Sequence, residues 1–95
     1  MLFVIFAIDK PGMAETRAAA MDAHRRYLES APFKNVMSGP LMDDAGENII
    51  GSLYMLDAEN RGVIDRMFED DPLCRADIWE SVEVRHFVAR VDNRD

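Results

Sequence analysis

From Leu2 to Asp9 the chain reads LFVIFAID, apolar at nearly every position and closed by Pro11-Gly12. A run this short and this rich in Val, Ile and Phe predicts a strand, and apolar side chains on both faces predict a central strand covered on both sides. The period then changes. At 100° per residue, Arg17, Met21, His24 and Leu28 fall within about 60° of one another, while Glu15, Asp22, Arg26 and Glu29 gather on the far side. This predicts an amphipathic helix from about Met13, with Glu15 in its first turn, ended by Ser30-Ala31-Pro32. On its wet face, Asp22 with Arg26 and Arg25 with Glu29 are opposite charges at i,i+4, structural pairs of a few tenths of a kcal/mol each.

Asn35 to Met42, NVMSGPLM, predicts a second strand, and Gly39-Pro40 would interrupt a central ladder, so it belongs at an edge or a bend. Asp43 to Asn48 predicts a hairpin turn, and Ile49 to Leu56, IIGSLYML, the strand that pairs back. Asp57 is placed as the N-cap of a second helix, with Glu59 in its first turn and Val63, Ile64, Met67 and Phe68 on its apolar side. Gly62 weakens that helix by up to about 1 kcal/mol. The helix ends near Glu69-Asp70, because Pro72 biases Asp71 away from helical geometry. Ser81 to Val91, SVEVRHFVARV, alternates as a half-buried strand, with Ile78 and Trp79 packing the loop before it. The order strand, helix, strand, strand, helix, strand, without repeat or linker, predicts one domain over residues 1–95. Its fold class is α+β: a ferredoxin-like βαββαβ sandwich with two helices on one face of an antiparallel sheet. The other face is apolar as well, and a second copy is its natural cover, so a sheet-to-sheet homodimer is expected.

Composition narrows the partners. Eleven Lys and Arg against eighteen Asp and Glu leave a net charge of −7, which repels nucleic acid and anionic membrane surfaces. No segment is long enough to span a bilayer, the run Leu2 to Ile8 lacks the basic flank and length of a signal peptide, and the single Cys74 forms no internal disulfide. A soluble, cytoplasmic protein is expected. No glycine-rich phosphate loop calls for a nucleotide cofactor. His24, Asp71 and His86 could supply three metal ligands, but no HxH, HxxxH or CxxC spacing supports this, and the acidic turn lacks the spacing of a calcium loop. Neither metal nor cofactor is expected. Cys74 has Arg75 as its one adjacent cation, so a buried, inert thiol is favoured over a nucleophile.

Candidate chemistry begins at His24, an ionisable ring on the buried side of a helix: a proton-transfer group, or a half-buried histidine with one nitrogen satisfied. Arg17, two turns earlier on the same side, carries a planar guanidinium suited to a substrate carboxylate or phenolate; the plainer reading is a surface side chain covering the helix start. Ser38 could donate a hydrogen bond at a pocket floor, or serve the turn chemistry usual before Gly-Pro. Asp71 before Pro72 has the form of an N-cap with proline at the first helical position, opening a short turn through Cys74 and Ala76.

Several stretches together are similar to one family: Arg17 with His24 and Leu28, Ser38-Gly39-Pro40-Leu41, the Gly46 hairpin, Gly51-Ser52-Leu53 and Asp71-Pro72. In that order, over nearly the whole chain, they resemble the YCII-related (YciI-like) proteins of the dimeric α+β barrel superfamily. The resemblance implies a His–Asp pair, His24 and Asp71, at a pocket between the first helix and the sheet, and some relatives are associated with dehydrochlorination of chlorinated hydroxyquinols. Two departures change the pocket wall and leave the pair intact. His86 precedes Phe87 where the family often has proline, and Leu73-Cys74-Arg75-Ala76-Asp77 lacks a small glycine often found there. Two functional readings follow. One is a cofactor-independent enzyme, a lyase or isomerase, in which His24 moves a proton, Asp71 fixes its tautomer, and Arg17 and Ser38 contact a small polar or aromatic substrate. The other is a non-catalytic dimeric module binding a small molecule or a partner chain, with the pair locking the helix to the sheet.

Overall fold

The computed structural model describes residues 1–94. In it the apolar run becomes β1 (Leu2–Asp9), flanked by β3 (Ile49–Asp57) and β4 (Trp79–Phe87), with β2 (Lys34–Met42) at the edge beyond β3. Each neighbouring pair is antiparallel. Helix α1 (Ala14–Glu29) links β1 to β2, and α2 (Arg61–Asp70) with the short α3 (Pro72–Arg75) links β3 to β4, so each crossover skips one strand. That is the split βαβ pattern of the ferredoxin-like α+β fold.

The pleat sorts β1 into two unlike faces. Phe3, Ile5 and Ala7 are buried and stand opposite Leu56, Tyr54 and Ser52 of β3, all buried too. Phe3, Ile5, Leu56 and Tyr54 make the core beneath the helices with Val84, Ala58, Ile64 and Met67. The alternate residues Leu2, Val4, Phe6 and Ile8 are only partly covered, and Phe6 is exposed. Within one chain β1 is therefore central and buried on one face alone; its second face is the one expected to take a second copy as cover.

Edge placement suits β2, since Pro40 has no N–H to donate and Gly39 adds no side chain. The hairpin closes as predicted: Asp43 donates its N–H to the Asn48 carbonyl, its carboxylate accepts from Glu47, Asn48 and the Asn48 amide, and Gly46 holds the positive φ of 71°. Two boundaries move. Asp57 remains in β3, its carboxylate bonded to the Met1 amine at 3.0 Å, and Asn60 caps α2 by accepting from the Val63 N–H at 3.2 Å. Glu59 thus precedes the helix. The last strand runs Trp79–Phe87 rather than Ser81 to Val91. Trp79 is part of it and packs edge-on against Tyr54 and Phe68.

Candidate functional site

Helix α1 buries two side chains almost wholly, Arg17 and His24, and both are polar. Its apolar residues Met21 and Leu28 are half-buried. The space beneath the helix is consequently not filled by core. It is a cavity of about 910 Å³ between α1, β2, the hairpin and β3, lined among others by Arg17, Met21, His24, Ser38, Ser52 and Tyr54.

His24 sits at its inner wall, and its Nδ1 lies 2.8 and 2.7 Å from the two carboxylate oxygens of Asp71. Asp71 is completely buried. A carboxylate only accepts, so Nδ1 is a protonated nitrogen, and in the neutral ring Nε2 holds the free lone pair. Nε2 has no partner among the described residues, yet it is not among the buried unpartnered atoms, so it meets open space. The open space that His24 borders is the cavity. Tyr54 fixes the ring from the side, edge to face with centroids 6.0 Å apart.

Local structure explains how Asp71 reaches this place. It ends α2, donating its N–H to the Met67 carbonyl at 2.9 Å, and its side chain caps α3 by accepting from the Leu73 N–H at 2.9 Å, with Pro72 at the first helical position. Capping and the histidine contact use the same carboxylate. Cys74, one turn on, is held neutral: burial first, and then the negative Asp71, push its thiol well above the ordinary value. Burial likewise raises the Tyr54 phenol, with Cys74 and Asp71 adding to the rise while Ser52 and Arg17 oppose it, so Tyr54 is a neutral hydroxyl.

Arg17 is not a surface side chain. Its Nε donates to Asp9 Oδ2 at 2.9 Å and its Nη2 to Asp9 Oδ1 at 2.8 Å, a bidentate pair almost wholly buried, and Nη2 also donates to Ser52 Oγ at 2.8 Å. Ser38 lies within β2 opposite Tyr54 rather than in a turn, lines the cavity, and accepts from the Asn35 amide at 2.9 Å. Thus the four sequence-predicted residues surround one space: His24, Arg17 and Ser38 line it and Asp71 stands behind His24. His86 is elsewhere, its ring packed on Phe3 across the strand pair. No group of three or more His, Cys, Asp or Glu among the described residues is arranged to hold a metal. No helix among them is long and apolar enough to cross a membrane.

Sequence reasoning missed Asp9, Ser52 and Tyr54. Ser52 and Tyr54 are two apart on a predicted strand, which puts them on one face, but only the tertiary fold turns that face toward α1.

The family model for the YCII-related domain matches residues 1–88. Among solved structures, 5-chloro-2-hydroxyhydroquinone dehydrochlorinase (TftG) from Burkholderia phenoliruptrix AC1100, in complex with 2,5-dihydroxybenzoquinone, is similar with a TM-score of 0.83 and 27% identity, over 93% of this chain and 94% of that one. A dimeric protein of unknown function and ferredoxin-like fold from Bacteroides fragilis NCTC 9343 gives 0.52 at 15% identity, covering 88% and 90%. Hydroxynitrile lyase from Passiflora edulis gives 0.55 at 13% identity, covering 96% and 94%; these last two share the fold. No curated protein matches the chain.

Proposed function

This chain belongs to the YCII-related family, and from that premise we propose that it is a small cofactor-independent enzyme using His24 and Asp71 as an acid/base pair on a small hydroxylated ring. The observation that carries the reading is the asymmetry of His24: Nδ1 is tied to a fully buried carboxylate while Nε2 opens onto a cavity of ligand size. The similar dehydrochlorinase supports an elimination as the reaction. His24 first moves a hydroxyl proton to the halogen-bearing ring carbon, giving the keto form. Nε2 then takes a second hydroxyl proton, the electron pair moves through the ring, and the halide departs from that carbon with the bonding pair, so that the net loss is one hydrogen halide. Asp71 stabilises the imidazolium that forms and keeps the ring in the tautomer that leaves Nε2 free. Tyr54 and Ser38 offer hydroxyls to substrate oxygens, and Arg17 offers an N–H edge. An isomerisation, with the proton returned to a different atom, uses the same groups.

The partner in this reading is a second copy of the chain. The open face of the sheet carries Leu2, Val4, Phe6 and Ile8 of β1 beside Leu53 and Met55 of β3, with Met37 and Leu41 of β2; on β4 it carries Phe87 and then the polar border Arg85, Glu83 and Ser81. A contiguous apolar sheet face of this extent marks an interface, and a self-complementary one closes as a dimer.

Chloride release from 5-chloro-2-hydroxyhydroquinone tests the chemistry. His24→Asn keeps a donor near the Nδ1 position for Asp71 and removes Nε2. It should lower the rate by about 10²–10⁴-fold, the usual contribution of a positioned acid/base group. A His24→Asn protein as fast as wild type would refute the enzyme reading. Loss of stability in that variant with ring binding unchanged would favour the non-catalytic binding module.

A further inference from the structure

Arg17 has five N–H groups, and its contacts divide them unevenly. Nε and one Nη2 hydrogen go to Asp9, and the other Nη2 hydrogen goes to Ser52. Nη1 has no partner among the described residues, and it is not among the buried unpartnered atoms, so it touches open space. Arg17 is nearly buried and lines the large cavity but not the second one at the β1–α1 turn, so that open space is the cavity under α1. The guanidinium is planar and gripped along one edge, hence its Nη1 edge is aimed and cannot swing away.

The grip also changes what that edge recognises. Asp9 already supplies the full opposite charge, through two hydrogen bonds, out of water. A second carboxylate on Nη1 would face the first across the width of one guanidinium, with Glu29 and Glu47 also on the cavity wall and only Arg25 as a further cation. A hydroxyl or keto oxygen accepts from Nη1 without that repulsion.

Resting on the reading that this cavity takes a small hydroxylated ring, we infer that Asp9 is a positioning residue that sets specificity. Through Arg17 it presents a neutralised donor edge that takes a ring hydroxyl or keto oxygen and rejects a carboxylate. The natural substrate class is thereby narrowed to uncarboxylated hydroxylated rings. Any reaction that feeds this site from a carboxylated ring must remove the carboxyl group first.

The test compares hydroquinone with gentisate, the same ring carrying a carboxylate, by NMR titration of the His24 and Arg17 side-chain signals. Wild type should bind hydroquinone at least about tenfold more tightly than gentisate. Asp9→Asn keeps an acceptor for Arg17 but removes the charge, and should shrink that ratio by about tenfold. Glu47→Gln removes one negative charge from the rim without touching Arg17, and should change the ratio by less than about twofold. The inference is overturned if wild type binds gentisate as well as hydroquinone, a result that does not depend on any variant folding. It is also overturned if Asp9→Asn leaves the ratio unchanged, or if Glu47→Gln shifts it equally. Should neither ring perturb the cavity signals of wild type, the hydroxylated-ring reading falls and takes this inference with it.

Discussion

The carboxylate of Asp71 accepts from His24 Nδ1 and from the Leu73 N–H, while the Asp71 backbone closes α2. Taking it away leaves a buried imidazole without its partner and α3 without its cap. Asp71→Ala should therefore cost about 3–5 kcal/mol in a urea unfolding experiment, the range for breaking a buried charged pair from one side. A loss below about 1 kcal/mol, the size of a cap alone, would show that the His24 contact contributes little. Much at this scale was legible beforehand. Helical spacing turned His24 inward and put Arg17 on the same side, although a surface side chain was the plainer reading of Arg17, and Asp-Pro announced a cap. The meeting of His24 with Asp71 spans 47 positions and follows from no local pattern; it was implied by the family resemblance. Asp9 escaped notice because an aspartate ending a strand before Pro-Gly reads as turn chemistry, and its bond to Arg17 exists only once α1 folds back over β1.

The order and type of the elements follow from periodicity, and the errors lie at ends where two plausible signals compete. Asp57 and Asn60 are both good capping residues. Asp57 is held in β3 by its pairing with Leu2 and Lys34 and by the N-terminal amine, so the role passes to Asn60. The alternation of the last strand runs on to Val91, but β1 begins at Leu2, which pairs with Phe87, so Val88 onward has no ladder partner among the described residues. Gly51 shows the opposite case, a residue whose reason is tertiary. A Cβ there would strike the Ala7 backbone carbonyl across the strand pair. Gly51→Ala should destabilise by about 1–3 kcal/mol, as overpacking does. An unchanged thermal midpoint would contradict so close an approach of the two strands.

At the scale of the molecule the two faces of the sheet differ: one supports the core and the cavity, the other leaves apolar side chains partly exposed and is where the proposed second copy would sit. Apolar residues on both sides of β1 are what support the proposed second copy, because a strand with one wet face would alternate. Phe6, 43% exposed in the single chain, lies on the open face of the central strand. Wild type should sediment as the proposed dimer in analytical ultracentrifugation and Phe6→Lys as a folded monomer; a wild-type monomer would remove the homodimer from the account. The cavity lies on the other face, where α1, β2 and β3 line it. All of the proposed chemistry depends on the bare Nε2 that His24 presents there. The most direct measurement is the ¹⁵N NMR spectrum of the His24 ring, free and with hydroquinone added. The neutral ring should show a protonated Nδ1 and an unprotonated Nε2, with the ligand shifting the Nε2 signal. A proton on Nε2, or an Nε2 signal that ignores the ligand, would contradict His24 as the base.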